Sequence, residues 1–197
     1  MNKLLRHLRV NWWMYLCAAL IIVAVWLLLF NYVATPKPNQ QIAITYVGTK
    51  LESSQLESDL YNFLQSATSQ QINKVSVEVT LSDDDYMFTM LMATRILTKD
   101  LIIVDRSYVS ETFCADYFLP LPQTVVDMFH DAEFYMQDGE IYGFCPSSDS
   151  TFARYYGGEN NCCIFLCSYS VNAGQAYGKG EVGDDAALQT IKFLLSK

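Results

Sequence analysis

Histidine is nearly missing from this chain, with only His7 and His130 in 197 residues. Beyond the basic N-terminus only His130 remains, so a zinc site rich in imidazole or a hydrolase with a histidine base has one candidate. Nucleotide-binding strings are also missing from a setting that would make them work. Gly157-Gly158 and the glycines from Gly174 to Gly183 are read as lacking the spacing and strand-to-helix context of a Walker loop or dinucleotide fingerprint, and no G-x-S-x-G elbow occurs. No cofactor is implied, and no internal repeat or low-complexity segment is present.

Positive charge is scarce too. The chain has 13 Lys and Arg against 21 Asp and Glu; three of the basic residues, Lys3, Arg6 and Arg9, precede an apolar run, and every acid follows it. Past that run ten basic residues face 21 acidic ones, a formal charge of −11. Such a surface repels nucleic acid and anionic headgroups. A cationic ligand or a basic partner face is compatible with it, and ordinary solubility explains it equally well.

What the chain does have is an uninterrupted apolar segment from Trp12 to Val33 without a charged residue. At about 1.5 Å of rise per residue it reaches about 33 Å, enough to cross a hydrocarbon core of about 30 Å. Trp12, Trp13 and Tyr15 stand at one end and Tyr32 at the other, where amphipathic rings prefer the headgroup level. The basic residues all precede the segment, which predicts a cytoplasmic N-terminus over residues 1–11, a transmembrane helix over 12–33 and an extracytoplasmic remainder. A cleaved signal has a shorter apolar core and small residues before its cut, whereas Tyr32 stands three positions from any cut after Ala34. A retained single-pass anchor is therefore expected, embedding the chain in the cell membrane. Cys17 lacks the small preceding residue of a lipoprotein cysteine and reads as a lipid-facing or packed thiol. Asn31 lies close enough to the outer end to reach interfacial water or to pair with another helix.

Residues 34–41 are polar and hold Pro36 and Pro38, the pattern of a short, stiff tether. The remaining residues, 42–197, suffice for one domain with a real core. Short apolar runs alternate there with helical periodicity, the signature of an α/β domain. Ile42 to Val47 predicts a strand ending at Gly48-Thr49. Ser53 or Ser54 is positioned to cap a helix whose Leu56, Leu60, Phe63 and Leu64 share one face. Lys74 to Leu81 alternates Val75, Val77 and Val79 as a second strand. Ser82-Asp83-Asp84-Asp85 supplies a cap and first-turn acids for a helix to about Leu97; it lacks the spacing, central Gly and closing Glu of a calcium loop. Leu101 to Asp105 reads as a strand buried on both faces of a largely parallel sheet. Phe118 to Pro122 is extended because of its prolines. A short helix follows around Thr124 to His130, and Asp138-Gly139 is a hairpin turn between aromatic-rich strands. Residues 147–161 form a loop or a poorly formed helix, Cys163 to Ser168 another strand, and Asp184 to Leu195 a closing amphipathic helix.

Taken together, the segments IAITYVGT with its following helix, KVSVEVTL, the helix leading into DLIIVDRSYV, GEIYGF and the terminal ALQTIKFLLS helix resemble one lobe of an extracellular solute-binding protein of ABC importers, in the type II periplasmic-binding fold. The resemblance implies a three-layer α/β domain in which the strand LIIVD ends at a ligand cleft, a YG segment follows a small hairpin, and the last helix packs back on the lobe. The departure from the pattern is as informative. A complete family member closes two lobes on its ligand, and no second lobe fits in this chain. Either ligand binding has been lost or a partner completes the cleft, as for an accessory subunit of a transporter or envelope complex.

In open α/β sheets ligands bind beyond the carboxyl ends of strands where strand order reverses. Gly48, Thr49, Asp105 and Arg106 occupy such positions. The first two offer backbone N–H groups and a hydroxyl, Asp105 a partner for a cation or ligand hydroxyl, and Tyr108 a stacking surface. Tyr142 lines the same edge or serves the core. Capping and turn bonding account for these residues as well as a small solute does.

Five cysteines lie beyond the apolar run: Cys114, Cys145, Cys162, Cys163 and Cys167. The number is odd and sequence alone assigns no pairing. Strand periodicity sets Cys163 and Cys167 on one face and Cys162 on the other, and a vicinal Cys162–Cys163 bridge is strained. No metal site is expected, since Cys-Cys-x-x-x-Cys lacks zinc-finger spacing. Three functions remain: a solute-binding-like domain, which is the leading one; a structural or interaction protein without ligand; and a thiol hydrolase pairing a cysteine with His130, for which no spacing speaks, so no enzyme is expected.

Overall fold

The computed structural model describes residues 2–48, 51–80, 85–109, 113–156, 161–174, 176–177 and 185–197; for residues 2–11, 33–34, 85–87 and 115 only the backbone is described. The chain divides into two units, Met1–Pro36 and Lys37–Lys197. In the first, helix α1 spans Asn2–Ala34 without a break. Its Trp12–Tyr32 stretch has a mean hydropathy of 2.5 and is exposed along its length, so by length and composition it is able to cross a membrane. Thr35 closes the helix, its N–H and hydroxyl both donating to the Asn31 carbonyl at 3.0 and 2.6 Å.

The second unit begins with a 3-10 turn, Pro38–Gln40, and β1, Gln41–Val47. The tether expected over 34–41 is therefore shorter, since its last four residues already belong to the turn and to β1. Next come α2 (Ser53–Ala67), β2 (Lys74–Thr80), α3 (Asp85–Arg95) and β3 (Leu101–Asp105). After these follow α4 (Phe113–Tyr117), α5 (Gln123–Met128), β4 (Glu133–Gln137), β5 (Glu140–Cys145), β6 (Cys162–Leu166) and α6 (Ala186–Leu195). Ser53 is the first residue of α2 instead of its cap; Glu52 holds the cap position and makes no side-chain bond there. Residues 81–84, where the acidic cap of α3 was expected, lie outside the described residues.

One six-stranded sheet, in the order β2-β1-β3-β6-β5-β4, organises the unit. Only the pairs β1–β2 and β1–β3 are parallel; β3–β6, β6–β5 and β5–β4 are antiparallel. The expectation of a largely parallel sheet is thus corrected. The first three strands are joined by crossover helices, which produce parallel pairing, whereas the β4–β5 hairpin and the returning β6 need none. Asp138 and Gly139 turn that hairpin with φ of 51° and 83°, the left-handed pair that a two-residue turn with the native twist demands.

Two apolar layers lie on opposite faces of the sheet. On one, Leu56, Leu60 and Leu64 of α2, Val125 of α5 and Ile191 and Leu194 of α6 pack on Ile42, Ile44, Ile103 and Ile164. On the other, Met92 of α3 and Phe113 of α4 pack with Phe118 on Val47, Ile102, Val104 and Phe165. Phe118 and Phe165 stack with ring centroids 4.6 Å apart. The result is a three-layer α/β arrangement with β3 buried on both faces, Leu101 to Val104 being fully covered.

Candidate functional site

The crossover β1–α2–β2 leads to one side of β1, and β2–α3–β3 returns to the other, with α2 and α3 on opposite faces. The strand order therefore reverses between β1 and β3, and their carboxyl ends, Val47-Gly48 and Asp105-Arg106, flank the point where open sheets of this kind bind ligands. The antiparallel strands add the start of β6 and the end of β5 to the same edge, because Asp105 pairs with Cys162 and β5 runs up beside β6 to Cys145.

On the α2 side of this edge Asp105 lies beside Tyr156 and Tyr46, and Phe152 packs on both of their rings. Tyr156 donates its hydroxyl to Asp105 Oδ2 at 2.9 Å, and the Ser107 N–H and hydroxyl donate to Oδ1 at 3.0 and 2.9 Å. Partial burial pushes the Asp105 carboxyl up; the bonds from the Ser107 N–H, Tyr156 and the Ser107 hydroxyl outweigh it and hold the group below the ordinary carboxylate range. Tyr46, fully buried at the end of β1, packs edge-on against Tyr156 with centroids 6.0 Å apart and tilts against Phe152. Among the described residues its hydroxyl meets no partner at full hydrogen-bond geometry, although the Tyr156 hydroxyl stands close enough to hold its proton more firmly. Burial, reinforced by the neighbouring Tyr156, keeps its proton in place. Gly48 is glycine for a local reason: a Cβ there would collide with the Tyr46 ring, 2.6 Å from Cζ.

Thiols occupy the α3 side. Arg106 extends the β3–β6 ladder by one residue, its N–H donating to the Asn161 carbonyl at 2.8 Å. Its guanidinium lies 6.0 Å over the Tyr135 ring and donates from Nη2 to Cys145 Sγ at 3.1 Å. Cys145 Sγ in turn stands 4.0 Å from Cys163 Sγ. The bond with Cys163 lowers the Cys145 thiol; burial opposes this, and the Arg106 charge adds to the lowering. Cys163, in partnership with Cys145 and buried, is raised. Burial alone pushes Cys114 up to about 12, and burial is also the main reason that Cys162 is pushed up to about 12.

Of the residues singled out from sequence, Gly48, Asp105 and Arg106 meet at this edge, while Thr49 lies outside the described residues. Tyr108 is half-buried and stacks on Phe88 at 5.8 Å, so its ring belongs to the α3 layer. Tyr142 sits at an irregularity of the hairpin, where Tyr135 pairs with Gly143 but Met136 with Ile141, and it is buried in the same layer. Cys163 and Cys167 share that layer and Cys162 faces the other. The strand holding them runs Cys162–Leu166, shifted from the expected Cys163 to Ser168. All the described cysteines are free thiols.

Tyr46, Tyr156, Cys145 and Cys163 were not singled out as a group by sequence reasoning. The only signal for them was parity along strands whose pairing was unknown. A G-x-G-x-x-G spacing does occur at Gly178, Gly180 and Gly183. It falls outside the described residues, and a loop rather than a strand precedes it. His130 lies 3.2 Å from Asp131 Oδ2 and lines a shallow hollow with Lys192 and Ser196. Among the described residues it touches no thiol, and no group of three or more His, Cys, Asp or Glu is placed to hold a metal ion.

No protein-family model, curated protein or solved structure matches this chain.

Proposed function

We propose that this chain is a single-pass membrane protein, anchored through Trp12 to Val33 with its N-terminus cytoplasmic, whose α/β domain binds a small polar solute as a single-lobe, solute-binding-like component of a transporter or envelope complex. The observation that carries the reading is the Tyr46 hydroxyl, buried at the carboxyl end of β1 with only the Tyr156 hydroxyl near it and, among the described residues, no partner at full hydrogen-bond geometry. A buried hydroxyl without a partner costs about 1–3 kcal/mol, and such groups in native folds call for an explanation, of which a ligand acceptor is one. Asp105 beside it offers an ionised acceptor, and exposed Arg106 offers donors, so the solute carries both kinds of group.

Its location supports the reading as well: ligands favour the point of strand reversal in open sheets. The type II periplasmic-binding likeness remains part of the proposal and adds the expectation of a partner that covers the open cleft.

A second reading, an envelope interaction protein that binds no solute, is favoured by one feature. At the opposite edge a hollow of about 300 Å³ is rimmed by Leu97, Tyr169 and Val171, all exposed apolar side chains.

Native mass spectrometry of the full chain, extracted gently from its own membrane, separates the two. A retained solute lost on Tyr46→Phe or Asp105→Ala supports solute binding. A bare chain or one carrying only protein subunits, unchanged by those substitutions, overturns it.

A further inference from the structure

The β5–β6 register places Gly143 opposite Phe165 and Phe144 opposite Ile164. One step further along the same ladder sets Cys145 opposite Cys163. Directly opposed residues of antiparallel strands have Cα atoms about 4.5–5.5 Å apart, inside the span of about 4.4–6.8 Å that a disulfide bridges. The two sulfurs already stand 4.0 Å from each other. Closing to a bond of about 2.05 Å then requires side-chain rotation and no exchange of partners between strands.

The two thiols are not equivalent. Cys145 lies at the rim and retains 6% of its surface, whereas Cys163 is wholly covered. Arg106 donates to Cys145 Sγ, and Tyr135 supports the guanidinium from below. A cation on the more accessible thiol and a protonated partner behind it is the division of labour between an attacking and a resolving cysteine. Among the described residues no such cation stands by the other two thiols of this layer, Cys114 and Cys167, and burial raises both.

We propose that Cys145 and Cys163 form a redox-active pair that reduces a small disulfide-bearing molecule, with Arg106 as the positioning residue that stabilises the Cys145 thiolate. The near-complete cover over Cys145 favours a small disulfide over one within a folded protein. In the first step the Cys145 thiolate attacks one sulfur of the disulfide; the S–S bond breaks, a mixed disulfide forms on Cys145 and one thiolate leaves. The leaving thiolate takes from solvent the proton that Cys145 released on ionising; in the second step Cys163 attacks Cys145 Sγ, and its proton passes to the sulfur it displaces. The second half of the molecule departs as a thiolate, which takes up that proton. Two electrons pass from the protein dithiol to the disulfide, leaving a Cys145–Cys163 bond and two small thiols. The proposal rests on the β5–β6 geometry and stands whether or not the Tyr46 edge takes a solute.

The test is a titration of the full-length, detergent-solubilised chain with mixtures of oxidised and reduced glutathione, quenched by alkylation and read by intact mass and peptide mapping. Expected is a two-electron transition in which Cys145 and Cys163 alone become protected from alkylation, in a single linked peptide. Cys163→Ser should then trap a glutathione adduct on Cys145, while Cys145→Ser should take none. At the same time the alkylation rate of Cys145 in the reduced chain should reach half its maximum below the pH of an ordinary thiol, about 8.5, and Arg106→Gln should move that midpoint upward. Wild-type protein in which both cysteines stay alkylatable under the most oxidising mixture, or bridge to other cysteines, overturns the proposal. This wild-type measurement decides even if a variant does not fold.

Discussion

The Asn172 side-chain amide donates to Asp100 Oδ1 at 2.9 Å, and both residues are buried at the amino-terminal edge of the sheet. The same amide donates to the carbonyls of Pro38 and Gln41 at 3.1 and 2.8 Å, while Asp100 also receives the Ser170 hydroxyl at 2.6 Å and the Ala43 N–H at 2.8 Å. One pair thus fastens the start of β1, the start of β3 and the loop after β6. Asn172→Ala removes a donor from a buried carboxylate and leaves two carbonyls short of a partner. It should lower domain stability by about 2–4 kcal/mol. Urea unfolding of the full chain in detergent measures this; a loss under about 0.5 kcal/mol would mean that water replaces the amide.

Gly143 should tolerate no side chain. A Cβ there would sit 2.6 Å from the Ile164 carbonyl oxygen and 2.9 Å from the Phe165 ring. The carbonyl belongs to the backbone of the neighbouring strand, so relief requires β5 and β6 to separate. Gly143→Ala should destabilise the domain by about 1–3 kcal/mol. It should also perturb the Cys145–Cys163 pair two residues along β5, seen as slower formation of their linked peptide. Wild-type stability in this variant would show that the strands part at little cost.

Much of the architecture was legible in the residue pattern, because burial imposes it directly. The valine alternation, the run Leu101 to Val104 and the Leu56-Leu60-Leu64 stripe each form the element expected, although Val79, expected on the face of Val75 and Val77, is exposed and Phe63 is only partly buried. The Asp138-Gly139 turn was legible for a different reason: two successive residues at positive φ leave few sequence choices. Strand direction was not legible. Nothing in Cys162–Leu166 tells whether it runs with β3 or against it, and that one fact brings Cys163 beside Val104 on one flank and Cys145 on the other. Asp105 and Arg106 were found from their place after a strand. Their partners Tyr156 and Cys145 come from loop and hairpin positions 51 and 39 residues away, which no local spacing reports.

Acid should act on the domain through carboxylates of opposite sense. Asp105 lies below its ordinary range, as does Glu78, which is held down first by its bond to Lys99 at 2.9 Å and further by Arg95. Such groups contribute stability that is present above their unfolded values, about 3.9 for Asp and 4.3 for Glu, and that disappears as pH falls through the folded ones. Burial raises Asp100 despite its donors, so its contribution is fully present below the unfolded value and fades as pH rises through the folded value. Asp105→Asn should therefore flatten the fall of Tm on acidification below about pH 4, and Asp100→Asn should remove a gain in Tm that acidification brings above about pH 4. Equal acid slopes in wild type and Asp105→Asn would remove Asp105 from this balance.

The N-terminal helix should stay on the mature protein. Its apolar Trp12–Tyr32 stretch is longer than a signal core, and Tyr32 occupies a position that cleavage after Ala34 would need small. Intact mass of the membrane-extracted chain should include residues 1–34, and alkaline carbonate should fail to strip it from membranes. In sealed vesicles of known orientation, protease added from the cytoplasmic side should leave residues 37–197 whole. A mature mass beginning after Ala34 would make the helix a signal and remove the anchor.

Tyr46→Phe tests whether the edge of the sheet was shaped for a ligand or only for packing. The substitution keeps the ring that fills the space between Phe152, Tyr156 and Gly48, and deletes only a hydroxyl that, among the described residues, has no partner at full hydrogen-bond geometry. For a group serving no purpose, deletion should stabilise the ligand-free domain, by about 1 kcal/mol, since a buried and unsatisfied hydroxyl is removed. If the hydroxyl donates to a solute, the same change should also weaken solute binding about 5–30-fold, corresponding to about 1–2 kcal/mol. Gly48→Ala makes a useful contrast, because its Cβ would press on the ring itself and should reduce stability and binding together. Thermal unfolding of the three chains, with and without the solute released from native protein by denaturation, reads both quantities. A Tyr46→Phe chain that is more stable and binds equally well assigns the hydroxyl to packing history, and the solute site would then have to rest on Asp105 and Arg106 alone.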